Sequence, residues 1–187
     1  KPLARIIKSY EGEMLVSRGD AFYTLARSIA GQQISVKAAD TIWKRLETAV
    51  KITPQGLIAA EEGTLRGAGL SSQKVSYMRS LAEHFSANKS LIKTWPKLED
   101  EAIIRELTSI KGIGRWTAEM YLIFHMGRPD VFPVADVGLQ KAVFRHYNKG
   151  ARMTPGQMTK LSERWQPYRT VATWYLWRSL DPVPVSY

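Results

Sequence analysis

The sequence contains no cysteine. That excludes disulfides, thiolate zinc sites and Cys-ligated iron–sulfur clusters. Its apolar runs fall well short of the ~20 residues that a membrane-spanning helix needs. No signal-peptide pattern opens it, and no internal repeat or low-complexity segment interrupts it. Convincing period-2 alternation, the mark of half-buried strands, is missing as well. Acid is scarce: 17 Asp and Glu stand against 27 Lys and Arg, a formal net charge of +10 with a pI near 9.9. That excess points to an anionic partner, most often nucleic acid. A length of 187 residues suits one large domain or two small lobes.

What is present is helical periodicity. Phe22, Leu25, Ala26 and Ile29 fall at i, i+3, i+4 and i+7, one apolar helix face. A helix over 36–50 places Ile42, Leu46 and Ala49 on one side. Thr53-Pro54 and Thr154-Pro155 each read as an N-cap followed by Pro at the first helical position. Ser71 or Ser72 caps a helix with Val75, Met78, Leu81, Ala82 and Phe85 among its apolar positions. The stretch GTLRGAGL at 63–70 reads as a Gly-rich break, and 86–96 as a polar connector. Further helices are expected around 99–108, 116–126, 136–147 and 167–180. The segment GRPDVFPVAD at 127–136 holds two prolines and must be a loop. These patterns predict an all-α fold of many short helices.

The stretch SIKGIGRWTAEM at 109–120 carries the sharpest signal. A dinucleotide-binding fingerprint requires a third glycine and a preceding strand, and both are missing. A phosphate-binding P-loop requires Gly-Lys-Ser/Thr after a longer gap, also missing. What remains is helix, tight turn, helix. Leu107 and Ile110 anchor the first helix, Ile113 plugs the turn, and Ala118 is small where the helices meet. Gly112 and Gly114 allow positive φ and close backbone approach. The second helix then offers N–H groups and its positive dipole end to a phosphate. Lys111, Gly112, Ile113, Gly114, Arg115 and Thr117 are the candidate DNA-backbone contacts, which position a duplex without reading its sequence. A ligand-free helical hairpin is the plain alternative.

With LTSIKGIGRWTA followed by DVFPVADVGLQKA, the chain resembles the helix-hairpin-helix (HhH-GPD) DNA glycosylase superfamily. AGQQISVKAA, GRWTAEM and ERWQPYRTVATWYLWRSL resemble its 3-methyladenine DNA glycosylase II branch, over about 22–180. The resemblance implies two helical lobes with an active-site cleft between them. One lobe is 20–127, including the hairpin at about 107–118; the other is 1–19 plus 128–187. It implies the compact form, since too few residues precede the first matching helix for the β-rich N-terminal domain of some relatives. The activity implied is flipping a damaged nucleotide out of double-stranded DNA and cutting its N-glycosidic bond in base excision repair.

Residue by residue, Asp136 matches the catalytic Asp. A carboxylate there would stabilise an oxocarbenium-like sugar, as in glycoside hydrolysis, and position or deprotonate water. As residue chemistry alone, an Asp ahead of an apolar helix is an N-cap, and both roles can hold together. Trp116 stands where strand-cutting relatives place a Schiff-base Lys, so the resemblance implies a monofunctional enzyme that leaves an abasic site. Trp116 and Trp177 match base-pocket aromatics, whose electron-rich faces suit a cationic alkylated purine. Met120 replaces another aromatic in the pocket. Trp165 and Trp174 are expected in the core, Asp130 at a surface turn, and Glu119 in a structural or solvent-facing place. Gln33, with Gln32 beside it, occupies the place of the wedge that fills the gap left by the flipped base. The backbone carbonyls of Thr108, Ile110 and Ile113 match a structural Na or K site; no cofactor is required. A monomer in the bacterial nucleoid or a nucleus is implied. A glycosylase for oxidised or mispaired bases and a non-catalytic helix-hairpin-helix DNA-binding protein remain the competing readings.

Overall fold

The computed structural model describes residues 2–10 and 19–180. Among them there are helices and connecting turns and no strand. Twelve helices are described: α1 Pro2–Ser9, α2 Ala21–Gly31, α3 Val36–Ala49, α4 Pro54–Ala59, α5 Glu62–Gly67, α6 Ser72–Ala87, α7 Lys89–Ile92, α8 Asp100–Thr108, α9 Arg115–Phe124, α10 Val137–Tyr147, α11 Pro155–Ser162 and α12 Arg169–Arg178. No described helix is long and apolar enough to cross a membrane.

Side-chain caps fix where half of the described helices begin. Asp20 accepts from the N–H groups of Phe22 and Tyr23 at the start of α2, and Ser35, Thr53 and Ser71 do the same for α3, α4 and α6. Thr154 and Gln157 form a reciprocal capping box on α11. Each cap satisfies donors that the first turn leaves open.

The chain divides into two compact units. Among described residues, one holds 19–121 and the other 2–10 with 122–180. The division thus falls within α9, where a break at 127/128 was expected. The end of α9 goes with the second unit for a visible reason: Phe124 stacks on Trp177 there, ring centroids 5.9 Å apart and 11° from parallel.

In the first unit, α6 packs against α2, α4 and α5. Phe22, Leu25, Ala26 and Ile29 from α2 and Val75, Met78, Leu81, Ala82 and Phe85 from α6 are all buried, as their periodicity predicts. Three expectations fail here. The 63–70 stretch is not a simple break: α5 forms in it because Leu65 is driven into the core with no exposed surface. Residues 86–96 are not merely a connector, since α7 and a 3₁₀ turn at Trp95–Lys97 carry Trp95 into an aromatic chain with Phe85 and Tyr121. On α3 the inward residues are Trp43 and Leu46, while Ala49 is exposed.

In the second unit, α12 packs against α1 and α10. Ile6, Leu139, Ala142, Val143, Met158 and Leu176 form its buried cluster. Trp174 is buried, as expected. Trp165 is only partly buried at the rim of that cluster, against Phe132 and Tyr147.

Candidate active site

The hairpin α8–turn–α9 lies in the first unit. Leu107, Ile110, Ile113 and Ala118 are all buried, so the apolar plug forms as the spacing predicts. Ile113 N–H donates to Ile110 O at 3.1 Å and closes the turn. Only one of the two glycines uses positive φ. Gly112 sits at φ +91°, and a Cβ there would lie 2.2 Å from the Tyr77 ring. Gly114 has no positive φ and nothing within 4 Å of an added Cβ, so its bare backbone simply faces open space. The first helical bond of α9 runs from Ala118 N–H to Gly114 O, which leaves the Arg115 and Thr117 N–H groups ahead of it in the first turn.

The Arg115 side chain is 56% exposed and is ion-paired within the protein. Its guanidinium is engaged by both oxygens of Glu101, and its Nε donates to Glu119 at 3.0 Å. These hydrogen bonds hold Glu101 below its usual carboxylate range and push Arg115 up. Thr117 is buried at 6% exposure. Lys111 remains exposed and donates to Ser76 Oγ at 3.1 Å. Glu119 is buried and structural.

The wedge loop also belongs to this unit. Gln32 Nε2 donates to Gly112 O at 2.8 Å. That bond makes Gln32 a brace between loop and hairpin. Gln33 is exposed and held at φ 60°, a left-handed conformation costing a non-glycine residue about 1 kcal/mol. Strain of this kind persists where the surroundings over-determine it. Lys74 Nζ secures the same segment from below by donating to Ala30 O at 2.7 Å, and burial pulls its pKa down.

Trp116 opens α9 and is 36% exposed. Met120, one turn further, is 2% exposed. Its side chain is buried in the first unit.

Asp136 is in the second unit, at the N-cap of α10. Its Oδ1 accepts from Leu139 N–H at 2.6 Å and from the Trp177 indole Nε1 at 2.7 Å. Val137 beside it is 61% exposed, so the cap lies at the surface of the fold. An indole N–H can only donate, so the carboxylate oxygen is its acceptor. Behind Trp177 stands Phe124, an aromatic that sequence reasoning did not single out. Gly138 was missed too: a Cβ there would lie 3.2 Å from Asp136 Oδ1 and 3.3 Å from Trp177 Cδ1. Asp130, expected at a surface turn, is ion-paired with Arg169 at 2.8 Å.

Among the described residues no group of three or more His, Asp or Glu is arranged to hold a metal ion. In the second unit one carboxylate is fixed by an indole N–H and a helix N-terminus. In the first, a glycine turn leaves backbone exposed.

Comparison with known proteins meets the same features. Residues 26–167 match the model of the HhH-GPD superfamily base excision DNA repair proteins. DNA-3-methyladenine glycosylase 1 of Schizosaccharomyces pombe is 33% identical over 96% of this chain and 81% of its own length. A DNA-3-methyladenine glycosidase from Bacillus halodurans superposes with a TM-score of 0.88 at 35% identity, covering 97% of this chain and 85% of that one. The S. pombe 3-methyladenine DNA glycosylase solved with abasic DNA gives 0.83 at 30% identity, over 100% and 95%. With a family match across residues 26–167 and a relative 33% identical over 81% of its own length, this chain belongs to the HhH-GPD superfamily of base excision DNA repair proteins.

Proposed function

We propose that the protein is a monofunctional DNA glycosylase that flips alkylated purines, 3-methyladenine in type, from double-stranded DNA and hydrolyses the N-glycosidic bond. The observation that carries this reading is the Asp136 carboxylate, fixed through one oxygen by a helix N-terminus and an indole N–H. Relatives named for 3-methyladenine excision, one of them solved with abasic DNA, support it.

The steps follow from the residues. The hairpin holds the backbone of the duplex through N–H groups at the start of α9, with Lys111 adding charge. Gln33, projecting on its strained turn, fills the gap left by the flipped nucleotide. The extruded base is cationic when alkylated, and the faces of Trp177 and Trp116 attract it. It departs without a general acid because it is already protonation-equivalent. The sugar left behind carries oxocarbenium character, which Asp136 stabilises while orienting the attacking water. The product is an abasic site. Trp116 has no amine, so it forms no Schiff base and strand cleavage does not follow. No organic cofactor takes part. The carbonyl oxygens of Thr108, Ile110 and Ile113 would hold a Na or K ion at the hairpin, a donor type suited to monovalent cations; Ile110 O, which already accepts from Ile113 N–H, keeps a second lone pair for it. The protein acts as a monomer on chromosomal DNA, in the bacterial cytoplasm or in a nucleus.

The test is base release from methylated duplex DNA, followed by chromatography, beside an Asp136→Asn variant. Free 3-methyladenine is expected from the wild type and near-background release from the variant, with DNA binding retained. Equal release from both would sink the assignment of Asp136. Binding without release by the wild type would favour a non-catalytic DNA-binding module, and release of an oxidised base instead would move the substrate class. Borohydride added during turnover should trap no covalent adduct.

A further inference from the structure

The loop before α10 is fastened to α12 at a second place, away from Asp136. Asp130 Oδ1 accepts from the Arg169 backbone N–H at 3.1 Å and from its Nε at 2.8 Å, and Oδ2 accepts from Nη2 at 2.9 Å. Thr170 N–H donates to Pro129 O at 2.9 Å. Its hydroxyl donates to Arg128 O at 2.6 Å and accepts from Val131 N–H at 2.9 Å. Together with a longer contact from the Thr170 hydroxyl to Val131 O at 3.5 Å, these hydrogen bonds join four consecutive loop residues to the first turn of α12. Thr170 is 2% exposed. Burial pushes the Asp130 carboxyl up, but the Arg169 hydrogen bonds and charge outweigh it and hold the group below its usual range.

The same helix carries Trp177, about two turns and 12 Å further along its axis at 1.5 Å per residue. There the indole N–H meets Asp136, at the far end of the same loop. Loop and helix are therefore pinned to each other at both ends. Gly138 completes the arrangement, because any side chain there would crowd both Asp136 Oδ1 and the Trp177 ring.

We infer that the Asp130–Arg169–Thr170 junction, with Gly138, positions the Asp136 carboxylate for catalysis by setting the register of α12 against the loop and so the reach of the Trp177 indole N–H. This rests on the glycosylase reading above. None of these residues touches the reacting atoms; they act through Trp177 and Asp136. A merely structural role accounts for less. The Asp130–Arg169 pair is partly solvated, at 27% and 23% side-chain exposure, so its own contribution to stability is small. The Thr170 bonds persist without it. Loss of Asp130 should then change geometry more than stability, and misplacement of a catalytic group by an ångström costs on the order of 100-fold in rate.

The experiment compares Asp130→Ala, Asp130→Asn and Gly138→Ala with the wild-type protein. Three quantities are read: the single-turnover excision rate at saturating enzyme, the Kd for a duplex carrying an abasic site, and the Trp177 indole ¹H–¹⁵N resonance, assigned by its loss in Trp177→Phe. In Asp130→Ala the indole proton should move upfield as its bond to the carboxylate lengthens. The rate should fall by roughly 10- to 100-fold with Kd and Tm nearly unchanged. Asp130→Asn, which still accepts from Arg169, should recover much of the rate. Gly138→Ala should displace the indole resonance with the junction intact. An unmoved indole resonance with an unchanged rate in Asp130→Ala overturns the inference, and so does a rate loss matched by equal losses of affinity and Tm. If the wild type releases no base at all, the glycosylase reading fails, while the indole resonance still decides whether the junction sets the Trp177–Asp136 contact.

Discussion

At the hairpin, the arginine beside the glycines is paired with the protein's own carboxylates while its side chain stays 56% exposed. At the loop before α10 the arrangement is reversed: a backbone N–H and an indole N–H both turn onto a single carboxylate oxygen. One region pairs a cation with two carboxylates beside exposed backbone. The other meets one carboxylate oxygen with two neutral donors. The contrast is between charge paired with charge and charge held by dipoles.

The strongest way to break that comparison is Gly112→Ala. A Cβ would collide with Tyr77 on a backbone already at positive φ, so a loss of about 3 kcal/mol in stability and failure to bind duplex are expected. Gly114→Ala meets nothing and needs no unusual φ, so urea denaturation should show a far smaller change. Equal effects in the two would mean that the turn is held by something other than close approach. Next comes Trp177→Phe, which keeps an aromatic face and removes the donor to Asp136. A hydrogen bond to a charged group contributes about 1.5 kcal/mol, so single-turnover excision should slow by about tenfold while duplex affinity holds. Smaller still is Arg115→Ala. Each phosphate-neutralising side chain contributes about 0.9 to the slope of log K against log salt. Arg115, already paired, should change that slope by much less, and Lys111→Ala by nearly the full amount; anisotropy titrations across a salt series decide. The smallest effect is on pH dependence. Asp130 and Glu101 both ionise more readily folded than unfolded, so what they add to stability is complete above the unfolded carboxylate range near 4 and fades as pH falls through it. Tm should hold between about pH 5 and 8 and drop below about 4, and Asp130→Asn should flatten the drop.

Local signals carried much of this molecule. Capping residues marked the starts of α4, α6, α10 and α11, and apolar periodicity marked the buried faces of α2 and α6. Asp136 was legible twice, as a cap and as a motif residue. What escaped depends on residues distant in sequence. Nothing near Arg115 announces Glu101, nor does anything near Asp130 announce Arg169, 39 positions away. Short helices escaped for a different reason. α5 spans six residues with glycines at 63 and 67, too few for periodicity to show, and forms because tertiary burial of Leu65 overrides weak propensity. Among the tryptophans, Trp43 and Trp95 fill the first unit's core where attention to the glycosylase motifs favoured others. Gly138 carried no signal of its own, because a glycine in a first helical turn is unremarkable until a ring is seen above it.

Gly112 has one further consequence. Its missing side chain admits Tyr77 from α6, its left-handed bend turns the chain toward α9, and its carbonyl receives the amide of Gln32. Three elements thus converge on one residue, which behaves as a shared joint. A displacement of the 31–35 loop is passed through the Gln32 amide to the turn at Gly112. Stiffness at this joint then sets how far the loop can move before the turn moves with it.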